Sequence, residues 1–423
     1  MADVVIIGGG PAGSILGSYL SMAGVSNLIL EKAIFPRPHV GESLVSATVR
    51  IFDEIGFLPT MESAGFTRKY GAAWRPTKGQ GEFSIRFGEF PQEGVDQDYT
   101  YHVERGRFDQ LLLEHARGLG SKVVQGVDVR EVLFDDDGSA RGVRVSMGGE
   151  PVELSAKMVI DCSGRNTILG SQLGLREKDP IFNQFAVYGW FEDVHRSENP
   201  ETSDFIHIYF LPVERGWVWQ IPISETVTSI GVVTEREVFK QSRQRKEEFF
   251  HELAAMSPGL SVAMKDATMV DGLHTEADYS YAMSRLVGDG WMLVGDAARF
   301  VDPIFSSGIS IAAECAKFAS QAIVPALESG DMTREVLQPY EDRIKAGVAI
   351  WYEFILLYYK LMHLFTYFID SEEHRIQILQ LLQGEVYDRE DAPVLDAMRE
   401  TIRKVEETPG HVWQPHLTDI PID

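Results

Sequence analysis

Three glycines, Gly8, Gly10 and Gly13, stand in the run Gly8-Gly9-Gly10-Pro11-Ala12-Gly13, and Glu31 follows 18 residues after the last of them. Glycine at the first position allows a tight turn, and at the second it lets the backbone approach a phosphate. At the third it lets a helix pack closely on a strand. A helix that opens behind such a turn directs unpaired N–H groups and a partial positive charge at an anion. A carboxylate at Glu31, with Lys32 beside it, can accept hydrogen bonds from ribose hydroxyls. These types at this spacing point to an adenine dinucleotide.

Two later segments repeat the pattern of a strand end carrying backbone donors and one carboxylate. Asp161-Cys162-Ser163-Gly164-Arg165 follows Met158-Val159-Ile160, and Gly295-Asp296-Ala297-Ala298 follows the run from Trp291 to Val294. An extended cofactor with ribityl hydroxyls needs such further donors, which favours FAD over NAD. Cys162 and Cys315 are the two cysteines. Neither they nor the scattered histidines show ligand spacing, so no metal site is expected.

To hold these groups together, the chain must run strand, glycine turn, helix, strand from Val4 to Glu31, the opening of a doubly wound sheet. The spacing predicts helices over Ser43 to Ile55 and Arg107 to Gly118, and strands at 82–87 and 98–104. A β-meander is expected within 122–160 around Asp135-Asp136-Asp137-Gly138. Residues 183–234 are strand-rich, Ser307 to Leu327 reads as a helix of small residues, and helix predominates from 332 onward. The expected fold is α/β, with a Rossmann-like FAD-binding domain in three pieces, 1–75, 98–165 and 285–330. A substrate-side β-sheet domain takes 76–97 and 166–284, and a C-terminal helical region takes 331–423.

With 39 basic and 63 acidic side chains, the 423-residue chain carries a formal charge of −24. That field opposes broad binding to nucleic acid or to anionic membranes. Scarce cysteine and no signal-like segment before Val4 fit a cytoplasmic location. Ala349 to Ile369 approaches the length of a membrane span but contains Glu353, Lys360 and His363. A mid-span charge costs about 2.5–3.5 kcal/mol, so a mostly buried helix is expected there.

The N-terminal turn with Asp161–Arg165 and Gly295–Ala298 resembles the flavin motifs of the para-hydroxybenzoate-hydroxylase superfamily. This resemblance implies Asp296 at the ribityl chain and Arg105, in Val103-Glu104-Arg105-Gly106-Arg107, near the FAD phosphates. Trp217-Val218-Trp219-Gln220-Ile221-Pro222 reads W-x-W-x-I-P, and Lys69 lies in Arg68-Lys69-Tyr70-Gly71-Ala72-Ala73-Trp74. Asp302-Pro303-Ile304-Phe305-Ser306-Ser307-Gly308 closes the segment begun at Gly295. With these the chain resembles the flavin-dependent halogenases. His39-Val40-Gly41-Glu42-Ser43-Leu44, Leu175-Arg176-Glu177-Lys178-Asp179-Pro180 and Ile378-Leu379-Gln380-Leu381-Leu382-Gln383-Gly384 are similar to the pyoluteorin-type subgroup. Its members act on a pyrrole held as a thioester on an acyl or peptidyl carrier protein.

The resemblance implies that FADH2 and O2 oxidise chloride or bromide to hypohalous acid. No second nucleotide fingerprint is visible, so a separate flavin reductase is expected to supply FADH2. Ser307 and Gly308 fall at the family's halide position, and Lys69 at the group that holds hypohalous acid. If Lys69 acts as a chloramine it must be neutral, yet at a pKa near 10.4 only about 0.04% of an amine is neutral at pH 7. Trp217 and Trp219 match residues that shield the flavin, though core packing explains them equally well. Tryptophan halogenases carry a glutamate where this chain has Phe305, which argues against free tryptophan. Phe305, Trp351 and Phe354 are candidates for a substrate pocket, with plain packing as the alternative. A free phenol or other aryl substrate, an FAD-dependent aromatic hydroxylase and a non-catalytic flavin-binding protein are the other readings. A homodimer is left open.

Overall fold

The computed structural model describes residues 2–77, 82–197, 199–277, 280–387 and 392–422. The uninterrupted aliphatic run Val4–Ile7 is buried along its whole length and forms an inner strand of a six-stranded sheet. The order is Val287–Gly288, Trp291–Leu293, Met158–Asp161, Val4–Ile7, Asn27–Glu31 and Lys122–Gln125. All neighbours are parallel except the first pair. Inner parallel strands lose the alternating polar face because helices cover them. Here the helix Pro11–Met22 packs against Arg105–Leu119 and Gly308–Ser329. The expected meander is present as Asp128–Phe134, Ala140–Met147 and Glu150–Ser155. Its turn closes with the Gly138 N–H on the Asp135 carbonyl.

The second sheet runs Thr268–Met269, Gln184–Glu192, Val227–Glu235, Trp217–Pro222, Ile206–Phe210, Gly71–Arg75 and Phe83–Arg86, with His274–Ala277 also on Gln184–Glu192. This corrects one expected boundary. Gly71–Arg75 was assigned to the FAD-binding piece 1–75, but it pairs with Ile206–Phe210 on one side and Phe83–Arg86 on the other. An open strand edge has unpaired backbone groups, and both edges of this strand are taken by the large sheet. Residues 78–81 of the expected unit 76–97 lie outside the described residues.

The helix expected from Ser43 begins only at Ala47. Glu42 and Leu44 instead bond the backbone of 101–103: Val103 N–H donates to the Glu42 carbonyl and Leu44 N–H to that of Tyr101. In the C-terminal region Arg334–Lys360 is one long helix, and Thr366–Asp370 is a separate short one. Trp351, Phe354, Ile355 and Tyr358 are fully buried in the main core. No helix among the described residues is long and apolar enough to cross a membrane.

Candidate active site

A cavity of about 650 Å³ opens above the glycine turn and runs to the large sheet. Gly8, Gly10, Pro11, Ala12, Glu31 and Lys32 line its first end, with Arg105 and Asp296 further along. The three glycines serve distinct needs. Gly8 sits at φ +105°, and a Cβ there would lie 2.3 Å from the Cys162 carbonyl oxygen. A Cβ on Gly13 would lie 2.0 Å from the Gly8 oxygen, so helix and turn touch backbone to backbone. Gly10 is the open one: its nearest atom would be Arg37 Nη2 at 3.5 Å, leaving room for a pyrophosphate. Gly13 itself is behind the wall, as is Gly295 at φ +66°, where an added Cβ would lie 2.9 Å from Ala12 Cβ.

Glu31 braces the turn, accepting from Gly9 N–H at 2.7 Å and Ala33 N–H at 2.8 Å. Each oxygen retains a second lone pair for a ribose hydroxyl. Burial raises the Asp296 carboxyl to about 6, and the Tyr281 hydroxyl donates to its backbone oxygen at 2.6 Å. Ribityl hydroxyls would give this carboxyl the partners burial denies it. The arrangement fits FAD.

Arg105 plays a different part from the one expected. Its Nε and Nη2 donate to Asp109 at 2.9 and 3.0 Å, and Nη1 donates to the Val40 carbonyl at 2.5 Å. It builds the cavity wall from inside and has little left for a phosphate. Arg37 was missed. It stands over Gly10, with its buried Nη1 in an ion pair 3.3 Å from Asp109 Oδ2 but without a hydrogen bond among the described residues. The available signal was a guanidinium between two prolines, six residues beyond Glu31.

Trp217 and Trp219 line the far wall, with ring centroids 5.9 Å apart. Trp219 lies directly across from Gly231, and any Cβ there would come within 2.1 Å of the indole. Gly231 therefore makes the space in which the ring lies flat. Trp219 Nε1 donates to Ser229 Oγ at 3.1 Å. Beside them, Pro303, Ser306 and Gly308 bring the start of the helix Gly308–Ser329 to the cavity. Ser307 is buried just behind. A Cβ on Gly308 would meet only Phe300 at 3.9 Å, so this helix start, with its unpaired N–H groups, faces open space.

Lys69, Phe305, Trp351 and Phe354 do not line the cavity; all four are buried. Lys69 is 3% exposed, donates from Nζ to the Leu44 carbonyl at 2.8 Å, and lies 5.3 Å from the Phe87 ring. Leu44 directly follows Ser43, a cavity residue, so the amine sits one residue behind the wall. Among the described residues no carboxylate pairs with it. Burial alone pushes its pKa down to about 7. Phe305 stacks on Phe354 at 4.5 Å and meets Tyr358 edge-on at 4.9 Å.

The sequence matches the FAD binding domain family over residues 1–349. It is 48% identical, over 99% of this chain and 97% of the relative, to the 1H-pyrrole-2-carbonyl-[peptidyl-carrier protein] chlorinase of Pseudomonas fluorescens. This chain belongs to the flavin-dependent halogenases. Another relative, the tryptophan 2-halogenase of Chondromyces crocatus, is 35% identical over 76% of this chain and 60% of its own length. The structure of the flavin-dependent brominase Bmp2 superimposes with a TM-score of 0.85 at 29% identity, covering 96% of this chain and 99% of that one. The halogenase is thus an FAD enzyme, and its cavity is a flavin cavity with a buried amine at its back.

Proposed function

We propose that this halogenase chlorinates a pyrrolyl group carried as a thioester on a peptidyl carrier protein, with Lys69 holding the hypohalous acid. The observation that carries the substrate is the full-length 48% identity to a chlorinase of that kind. Bound FAD, reduced by a separate reductase, supplies with oxygen the oxidising equivalents that convert halide to hypohalous acid. The chain's own residues do the rest. Arg37, Glu31 and the Gly10 backbone hold the phosphate and ribose end, and Asp296 the ribityl hydroxyls. The N–H groups at Ser307 and Gly308 hold the halide at the start of the helix.

Burial supports the role of Lys69. With a pKa of about 7, roughly half the amine is neutral at pH 7, on the order of a thousandfold more than in water. A neutral Nζ can bond or bind hypohalous acid, and Leu44 fixes its direction. The Phe305–Phe354 stack provides a dry surface and no carboxylate, which suits an electron-rich pyrrole that needs no further activation. The bulk of Trp217 and Trp219 excludes an organic ring from the flavin end.

The test is intact-protein mass spectrometry of a pyrrolyl-loaded carrier with the halogenase, FAD, a flavin reductase, NADH, oxygen and chloride. Free pyrrole-2-carboxylate and Lys69→Ala run beside it. A chlorine isotope pattern on the carrier alone, abolished by Lys69→Ala, is expected. Turnover of free pyrrole-2-carboxylate or a free phenol, with the carrier unmodified, sinks the tethered substrate; halogenation by Lys69→Ala at the normal rate sinks the lysine.

A further inference from the structure

One chain of hydrogen bonds ties the C-terminal helix to both far walls of the flavin cavity. Trp217 Nε1 donates to the Tyr359 hydroxyl at 2.8 Å, and that hydroxyl donates to Asp302 Oδ1 at 3.0 Å. The same Oδ1 accepts from Ile304 N–H at 3.0 Å, capping the turn Pro303–Phe305. Ser306 follows in the left-handed region at φ +58°, its N–H on the Pro303 carbonyl at 3.0 Å, and the helix starts at Gly308. Pro303, Ser306, Gly308 and Trp217 all line the cavity. Tyr359, Trp217 and Asp302 are almost wholly buried, and Asp302 Oδ2 has no hydrogen-bond partner.

A tyrosine hydroxyl that accepts from one cavity wall and donates to the cap of the other cannot be moved without disturbing both. We infer that Asp302 and Tyr359 are positioning residues that set the Ser306–Gly308 turn for halide binding. This rests on the reading that the turn holds the halide. Tyr359 fixes the Asp302 carboxyl, and the carboxyl fixes the turn. Its charge matters too, because an anionic Asp302 caps the turn that leads into the donors an external anion must use. Burial above all, with a smaller push from Asp179, raises this carboxyl, and Ile304 N–H and the Tyr359 hydroxyl pull it back, leaving it at about 7. Tyr358 also faces it, and Arg299 and Tyr352 face Asp179. The neutral acid permits halide; the carboxylate repels it.

Chloride affinity of the FAD-loaded enzyme, read by flavin and tryptophan fluorescence from pH 6 to 8.5, tests this. Parent, Asp302→Asn, Tyr359→Phe and Gly308→Val are compared in a Lys69→Met background, which removes the lysine's own titration. Asparagine keeps the acceptor for Ile304 and Tyr359 but cannot ionise. Below pH 6.5 the expected result is equal binding by parent and Asp302→Asn, with Tyr359→Phe about tenfold weaker. At pH 8.5 Asp302→Asn should bind about tenfold more tightly than the parent. FAD affinity should be unchanged in both. If Tyr359→Phe binds halide as tightly as the parent while Gly308→Val weakens it, the positioning role is overturned and the halide turn stands; if Asp302→Asn follows the parent at every pH, the effect of the charge is overturned. If Gly308→Val leaves halide binding untouched, the turn is not the halide site and both readings fall. Should Tyr359→Phe not fold, Asp302→Ala, which removes the acceptor for Ile304, takes its place: about tenfold weaker halide binding below pH 6.5 is expected, and parent-like binding overturns the positioning role.

Discussion

Lys69 and Lys360 are both buried, at 3% and 7% exposure, in opposite company. The Lys69 amine has the Leu44 carbonyl and the Phe87 ring, with no counter-charge among the described residues. Lys360 donates to the Ile420 carbonyl at 2.9 Å and pairs with Glu406 at 2.7 Å, holding the chain's end against the long helix. An ammonium taken from water without a partner is expensive, and the group escapes the cost by losing its proton. Where a lysine only has to seat a helix, this chain supplies a carboxylate. Beside the flavin cavity it withholds one, and an amine neutral near pH 7 is the result.

The comparison breaks most visibly under replacement of the buried amine. Lys69→Ala is expected to lower halogenation by about a thousandfold or more while FAD affinity, followed by flavin fluorescence, is retained. Lys69→Arg should be as inactive, since a guanidinium cannot become neutral. The next effect is on stability. Lys69 binds fewer protons folded than unfolded between pH 7 and its ordinary value near 10.4, so its contribution to stability rises with pH across that window. Lys69→Met should therefore stabilise the enzyme at pH 6 by on the order of a few kcal/mol, and by little at pH 10, in urea unfolding. Equal gain at both pH values would show that the amine is not strained by its proton.

Halogenation limited by the Lys69 step should climb about tenfold from pH 6 to pH 8, following the neutral amine. A profile that is flat in that range would assign the limiting step elsewhere. The smallest effect belongs to the paired lysine. Lys360→Met removes one ion pair with a half-exposed partner and one hydrogen bond, and should cost about 1–2 kcal/mol with normal turnover. Loss of turnover there would erase the contrast between the two sites.

The β-α-β opening, the glycine turn and Glu31 were legible because each depends on neighbours a few residues away. The W-x-W-x-I-P strand was legible as a strand, but Gly231, which makes room for Trp219, sits across the sheet. Arg105 and Arg37 show the limit. Only the fold brings both guanidiniums to one cavity and to one carboxylate, Asp109, which holds Arg105 by two hydrogen bonds and Arg37 by an ion pair at 3.3 Å. The strand Gly71–Arg75 and its sheet emerge only in the fold, where both its edges are taken by the large sheet.

By itself, the sequence determined the backbone-made half of this enzyme: the glycine turn, the helices that open behind it and behind Ser307, and the membership of the flavin-dependent halogenases. Those follow from φ/ψ preferences and from local donors, which short motifs carry intact. Only the tertiary structure decided that Lys69 lies without a counter-charge among the described residues, and that Tyr359 bonds Trp217 and Asp302 together. The pKa of an amine and the partners of a buried hydroxyl are set by what surrounds them in space, and those surroundings come from segments as far apart as residues 44, 87, 217, 302 and 359.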